Sequence, residues 1–315
     1  MKFALSSIAA GVLLACVCHG ASAQATVTVT QQGNGNTSVA EQSGYSGTDI
    51  TATITQIGNN NHVGGPGSSG GGIFQAGGDF PTPSNAATVY QNGSGNNAGI
   101  VQVPVVPTPL EASIRQTGNG NSGFIRQDGT TGTLLTIEQN GDGNRSALEQ
   151  ITGGDSTIRT LQSGNGNSVT VGQYETGGRF YSSVVQDGDS NTASVSIHGS
   201  SFGGPVIEQH GYGNSATTSQ TDGEQSLISI RQYGSGNLAD ATQTGDLQTA
   251  DIGQNGIGNR ASVTQSGLPD NVLGNSAVIA QAGNSNTAIV RQAGDGYVAN
   301  VSQVGNGNWT SIYQH

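Results

Sequence analysis

One pattern recurs along the chain and restricts what it can become: Gln-x-Gly-x-x-Asn-x5-Gln, as in Gln232 to Gln243. The Gln-x-Gly-x-x-Asn part occurs twelve times. It pairs Gln31 with Asn36, Gln56 with Asn61, Gln91 with Asn96, Gln116 with Asn121, Gln139 with Asn144 and Gln162 with Asn167. It goes on to pair Gln186 with Asn191, Gln209 with Asn214, Gln232 with Asn237, Gln254 with Asn259, Gln281 with Asn286 and Gln303 with Asn308. Most copies begin 22 to 25 residues after the previous one. A fixed period of that length marks a solenoid, in which each repeat buries its apolar face only against its neighbours. A single compact globule is the wrong model for such a chain.

Within a copy the residues alternate. Placing Gln232 on an inner face puts Ser226, Ile228 and Ile230 there too and turns Leu227, Ser229 and Arg231 outward. Beyond the turn, Asn237, Ala239, Ala241 and Gln243 point inward. Each copy therefore reads as strand, turn, strand. The turn carries Gly at its third position in every copy and Gly at its fifth in nine of twelve, with Asn60, Ser190 and Ser285 as the exceptions. Gly and Asn accept positive φ, so the reversal is tight.

The inner Gln and Asn decide how copies meet. A side-chain amide both donates and accepts, so a column of identical amides is satisfied when like lies on like at the parallel-strand spacing of about 4.8 Å. The predicted fold is an all-β, amyloid-like β-solenoid of about twelve stacked repeats. The twenty-four Gln and Asn residues named above would form structural ladders beside a strip of Ala, Val, Ile and Ser.

At the amino terminus, Met1-Lys2, the apolar run Phe3 to Cys18 and the small-residue site Ala21-Ser22-Ala23 read as a secretory signal peptide over residues 1–23, cleaved before Gln24. The run is too short to span a membrane. A lipoprotein signal at Leu13-Leu14-Ala15-Cys16 is the rival reading. Both cysteines, Cys16 and Cys18, fall within the leader, so no disulfide is expected afterwards. The net charge is −11, and the only lysine, Lys2, belongs to the leader. That acidity argues against nucleic acid or an anionic membrane as partner, and no membrane insertion is expected. The 52 Gly and 9% charged residues could indicate disorder. Twelve units kept in register with strand alternation overrule that.

Residues 24–315 form the repeat region, interrupted by Pro/Gly-rich inserts near 62–84, 103–110, 198–206 and 267–272. All eight prolines (Pro66, Pro81, Pro83, Pro104, Pro107, Pro109, Pro205 and Pro269) fall in inserts. Proline cannot donate to a ladder, so the expectation is that none lies in a strand and that inserts sit on the turn between repeats. Charges give a second sign of register. Arg115 and Glu138, Arg126 and Glu149, and Glu208 and Arg231 are each 23 residues apart, one rung in the stack, where opposite charges would face each other.

The form Ser-x5-Gln-x-Gly-x-x-Asn-x-Ala-x3-Gln, met by Ser226 through Gln243, resembles the curlin repeat, and the resemblance covers nearly all of the chain after the leader. It implies a secreted subunit of curli, the functional amyloid fibres on the surface of Gram-negative bacteria, which serve in adhesion and biofilm matrix. The implied partners are further copies of the chain in a homopolymeric fibre, an outer-membrane secretion pore and a nucleator subunit. Twelve repeats are more than the five of the familiar subunits. No Gly/Asn-rich targeting segment stands before the first of them.

Nothing in the sequence calls for an enzyme or a cofactor. His62, His198, His210 and His315 lack metal-ligand spacing and read as turn or surface residues. Asp128-Gly129, Asp187-Gly188 and Asp222-Gly223 read as turn formers, without the repeat of calcium-binding β-rolls. No nucleophile elbow is present, a repetitive solenoid offers no pocket, and Trp309 reads as a packing residue at an exposed end. Two functions remain: a fibre subunit polymerising end to end, or a monomeric secreted β-solenoid adhesin or ice-binding or other surface-binding protein. The chain starts in a strand at Ala25 and stops in one at Tyr313-Gln314-His315, which leaves both edges open. The outward pairs Thr26/Thr28 and Thr51/Thr53 do not recur as an ice-binding row would require. Both points favour the fibre.

Overall fold

The computed structural model describes residues 2–6, 12–14, 24–43, 49–64, 72–76, 85–104, 108–267 and 273–315. The chain divides into two compact units, Met1–Asn165 and Gly166–His315. Each unit is a parallel β-solenoid, and every regular element among the described residues is a strand.

In the amino-terminal unit, the strands that precede each turn form one parallel sheet. Its order is Gln24–Gln32, Asp49–Ile57, Asn85–Asn92, Glu111–Thr117, Leu134–Asn140 and Thr157–Ser163. The strands that follow the turns, Thr37–Ser43, Asn97–Pro104, Ser122–Thr131 and Arg145–Gly154 among them, form the second sheet. In the carboxy-terminal unit the first sheet runs Tyr181–Asp189, Val206–Tyr212, Glu224–Ser235, Thr249–Ile257, Ser276–Asn284 and Val298–Val304. The second runs Ser168–Thr176, Thr192–His198, Ser215–Thr221, Leu238–Thr244, Arg260–Ser266, Thr287–Ala293 and Trp309–Gln314.

The register puts like on like. Ala112, Ile114 and Gln116 lie on Leu135, Ile137 and Gln139, which lie on Ile158, Thr160 and Gln162. All nine side chains are buried, while Leu134, Thr136 and Glu138 of the middle strand face out. Burying an Ile contributes roughly 1.5–3 kcal/mol. One rung buries only a few such chains, too few to offset the ordering of its residues alone, so stability grows through stacking.

The two glycines of the turn have different reasons to be there. Gly118 has φ 115°, and a Cβ on it would fall on the carbonyl oxygen of Gly141 in the next rung. Backbone passes backbone so closely that no side chain fits. Gly120 has φ 64° with open space around it, so its position needs only a residue that tolerates the left-handed region. Asn60, Ser190 and Ser285, which stand at that fifth position elsewhere, adopt φ of 54°, 59° and 55°.

The inserts correct two expectations. The insert after Asn61 does not sit on the turn between repeats; it splits a second strand into His62–Val63 and Ile73–Ala76, both of which pair with Asn97–Pro104. Val63 and Ile73 are both fully buried, so the apolar column closes around the excursion and the sheet stays continuous. Pro104 also stands within a strand, as its last residue, opposite Thr130 where the register shifts. The ladder is already interrupted at that shift, which is why proline is tolerated there. Leu110, at the far end of the same insert, is fully buried, and its carbonyl accepts from Ala86 N at 2.9 Å. The insert near 198–206 adds a short strand, Ser201–Gly203, that pairs with Glu224–Ser235. Pro109 and Pro205 lie between strands; Pro66, Pro81, Pro83, Pro107 and Pro269 lie outside the described residues.

Within the expected leader, Lys2–Ser6 and Val12–Leu14 pair in parallel with Thr26–Thr30 and Ser38–Ala40. The expected cleavage site at Ala21-Ser22-Ala23 and both cysteines lie outside the described residues.

The contrast between the turn glycines is testable by denaturant unfolding. Gly118→Ala should lose at least ~3 kcal/mol, from left-handed strain plus the backbone clash, and Gly120→Asn less than ~1 kcal/mol. Equal losses would contradict the close approach.

Candidate functional site

The feature that sets this interior apart from an ordinary β-core is its rows of buried amides. In the amino-terminal unit, each first-strand Gln donates from Nε2 to Oε1 of the Gln one rung on. Gln56 bonds Gln91 at 2.9 Å, Gln91 bonds Gln116 at 2.9 Å, Gln116 bonds Gln139 at 2.9 Å and Gln139 bonds Gln162 at 2.8 Å. In the carboxy-terminal unit the row runs Gln186, Gln209, Gln232, Gln254, Gln281 and Gln303, with every bond 2.8 or 2.9 Å. The second Nε2 hydrogen goes to a backbone carbonyl, Ser122 O from Gln139 at 3.1 Å and Ser215 O from Gln232 at 3.0 Å. Both protons of the buried amide are thereby used.

The Asn row runs in the opposite sense. The backbone N and Nδ2 of Asn121 donate back to Oδ1 of Asn96 at 3.0 and 3.1 Å, while Nδ2 also reaches Gly141 O at 2.7 Å. Asn237 does the same toward Asn214 Oδ1, at 3.1 Å from each donor, and Gly256 O at 3.0 Å. One Asn thus ties its rung to the rung before and pins the turn of the rung after. Of the Gln and Asn residues singled out from the sequence, every one but Asn308 is buried; Asn308 is exposed, in the last turn.

A third row was not among those residues. The second-strand Gln side chains bond in the same sense as the first-strand ones: Gln42 to Gln75 at 2.8 Å, Gln75 to Gln102 at 2.7 Å and Gln102 to Gln127 at 2.8 Å. In the other unit Gln220, Gln243, Gln265, Gln292 and Gln314 continue the pattern at 2.8 to 3.1 Å. The Gln that closes the repeat motif was the signal for it. This row has gaps. Gln127 Nε2 turns to Thr133 Oγ1 at 2.7 Å, and the fully buried Gln150, in register with it, has neither amide atom bonded. In the carboxy-terminal unit Ile197 stands between Gln173 and Gln220, and Gln220 Oε1 is unpartnered.

Outward charges partly follow the expected pairing. Arg115 Nε lies 3.9 Å from Glu138 Oε1, half-exposed, and a pair of that kind contributes ~0–1 kcal/mol. Arg126 stands on Glu149 in register and also contacts Asp128 at 2.5 Å. Arg231 stands on Glu208 but its Nη2 turns the other way, to Asp251 Oδ1 and Oδ2 at 2.8 and 3.0 Å. Gly253 is the next residue in its column, so the diagonal carboxylate is within reach. The histidines join outward rows: His198 stacks on Tyr174 at 4.7 Å, and His210 stacks on Tyr233 at 5.0 Å with its Nδ1 3.5 Å from Asp187. Burial pushes the Asp240 carboxyl above its ordinary value. Trp309 is 69% exposed.

The surface is not wholly without concavity, contrary to the sequence reading. A depression of about 380 Å³ lies where Gly253, Ala280 and Ala282 stand between Arg231, Tyr233 and Val304. Small side chains in two outward columns make it, Gly253 and Ala280 in one and Ala282 in the other. Among the described residues no three His, Cys, Asp or Glu gather as a metal site, and no helix is long and apolar enough to cross a membrane.

Continuity of the rows predicts unequal mutational costs. Gln139→Leu strands an Nε2 donor on Gln116 and an Oε1 acceptor on Gln162, so it should cost about 2–4 kcal/mol in denaturant unfolding, and Gln139→Leu with Asn144→Leu more. Gln150→Leu removes an amide that is already unbonded and should cost less than ~1 kcal/mol or stabilise. Equal costs at Gln139 and Gln150 would contradict the row.

No curated protein matches the chain. Residues 234–267 match the family model of the curlin associated repeat. That segment begins inside the Gln232 turn and runs through the strands Leu238–Thr244, Thr249–Ile257 and Arg260–Ser266, with the buried Asn237, Gln243, Gln254, Asn259 and Gln265. A repeat recognised by that model, in a parallel β-solenoid whose other rungs carry the same Gln and Asn positions, supports assigning the chain to the curlin family.

Proposed function

We propose that this curli-like structural protein is the subunit of an extracellular amyloid fibre, secreted after removal of residues 1–23 and polymerising by continued stacking of its rungs. The buried Gln and Asn rows are the ladder along which copies join. The observation that carries this reading is the interior stacking itself: each strand lies in parallel register on the next, and Gln254 bonds Gln281 and Gln281 bonds Gln303 at 2.9 and 2.8 Å, a row that a rung of the same kind from another copy can continue. Adhesion and biofilm matrix, a secretion pore, a nucleator and a Gram-negative cell surface belong to this reading through the curlin family.

One observation favours the monomeric surface-binding alternative. On the second-strand face of the carboxy-terminal unit, Ser194 and Ser196, Thr217 and Ser219, Thr242, and Ser262 and Thr264 lie in register over four rungs, a hydroxyl-lined patch. Asp240 interrupts it.

Growth kinetics separate the two. Chain lacking residues 1–23, incubated with preformed fragments of its own fibres, should lose its lag phase and elongate in proportion to seed ends. A chain that stays monomeric at high concentration even when seeded is a surface binder and not a fibre subunit.

A further inference from the structure

The outer tip of the turn carries a chemistry that the buried rows do not use. Asn34–Gly35, Asn119–Gly120, Asn165–Gly166 and Asn306–Gly307 place an asparagine directly before a glycine at the fourth and fifth turn positions. No side chain on the glycine shields its nitrogen, which can attack the asparagine side-chain carbonyl. At Asn119 the Gly120 N–H gives its proton to hydroxide, N bonds to Cγ, and the Cγ–Nδ2 bond breaks as Nδ2 takes a proton from water and leaves as ammonia. Water then opens the cyclic imide at either carbonyl. Opening at Cγ leaves aspartate. Opening at the main-chain carbonyl leaves isoaspartate, whose backbone runs through the side chain and is one carbon longer. The sum consumes one water and releases one ammonia, with no oxidation or reduction.

The stack ties down both reacting groups. Asn119 is exposed to water, yet its Oδ1 accepts from Ser94 N in the rung before at 3.0 Å, and its Nδ2 donates to Asp142 Oδ1 in the rung after at 3.1 Å. Gly120 N donates to Ser94 O at 2.9 Å. Neither can Cγ turn toward Gly120 N nor that nitrogen lose its proton until these bonds open.

The same turn shows what each product does. Asp142 holds the fourth position of the next rung, and its Oδ1 accepts from Asn119 N at 2.7 Å, so an aspartate in ordinary linkage fits the tip. An added backbone carbon does not. Asn121 gives its N and Nδ2 to Asn96 Oδ1 at 3.0 and 3.1 Å, and Gly118 passes in backbone contact with Gly141. A longer link between those two fixed points displaces one of them.

We propose that Asn119 is a self-modification site: in the unstacked chain it converts to isoaspartate, a chain so altered cannot close this rung, and stacking suppresses the reaction. The site needs only stacking within one chain and stands apart from the fibre reading. Two turns hold an asparagine in the same way but follow it with a side chain. Asn59 Oδ1 accepts from Asn34 N and Asn60 N donates to Asn34 O, both at 2.9 Å. Asn284 Oδ1 accepts from Ile257 N at 3.0 Å, and Ser285 N donates to Ile257 O at 2.8 Å.

Incubation of the full chain at mildly alkaline pH, one portion folded and one in denaturant, tests this, with isoaspartate located by peptide mass spectrometry using electron-transfer fragmentation. Isoaspartate at Asn119 should form at least about tenfold faster in denaturant than in the folded chain, and in denaturant about tenfold faster than at Asn59 or Asn284. Gly120→Ser, the residue present at Ser190 and Ser285, should fold as the wild type does and slow the reaction in denaturant to the rate at Asn284. When denaturant is removed from aged chain, isoaspartate at position 119 should be depleted from the folded fraction. Aspartate there, which only sets a second exposed carboxylate beside Asp142, should be retained. Equal rates in folded and unfolded chain, no slowing by Gly120→Ser, or isoaspartate at position 119 refolding as readily as asparagine would overturn the proposal.

Discussion

A side-chain amide sealed inside a β-stack needs both a donor and an acceptor within reach, because an unmet one costs about 1–3 kcal/mol. Identical amides stacked in register meet that need along the stack without any other partner. The remaining features of each unit follow from it. Parallel pairing puts Gln116 on Gln139, the same pairing puts Ile114 on Ile137, and the two together leave one strip of apolar side chains between amide rows. An antiparallel hairpin would place unlike residues opposite each other and leave the rows unmade.

The turn is the second constraint and serves the first. Asn121 can reach back to Asn96 and forward to Gly141 O only because the loop is short and its backbone is nearly in contact with the loop above. The third-position Gly, Gly118 or its equivalents, makes that contact possible. Inserts are admitted wherever they leave these two devices alone. The excursion between Val63 and Ile73 does so inside a strand, since Gln75 still bonds Gln102 after it.

Much of this was legible in the residues because a solenoid turns periodicity directly into register. Strand, turn and inward face followed from Gln232 to Gln243 alone. What the period could not convey was where an interruption falls within its rung: the split at His62–Val63 looks like a long turn in sequence, because the apolar Val63 and Ile73 lie too far apart along the chain to read as neighbours. The direction of the amide bonds was hidden too, since a Gln is the same letter whichever way its amide points. The Arg231 pairing was missed for a local reason, the absent side chain at Gly253, which lets a diagonal carboxylate take the place of the register neighbour. Gaps in the second Gln row at Gln150 and Ile197 likewise depend on what the next side chain chooses, Thr133 in the first case and nothing polar in the second.

The central claim is that copies continue the stack, with strands perpendicular to the fibre and like lying on like. X-ray diffraction from aligned fibres of the chain lacking residues 1–23 tests this most directly. The account predicts a sharp 4.7–4.8 Å reflection on the meridian, along the fibre axis, with the sheet-to-sheet spacing near 10 Å on the equator. A 4.7–4.8 Å reflection on the equator, from strands running along the fibre, would contradict it.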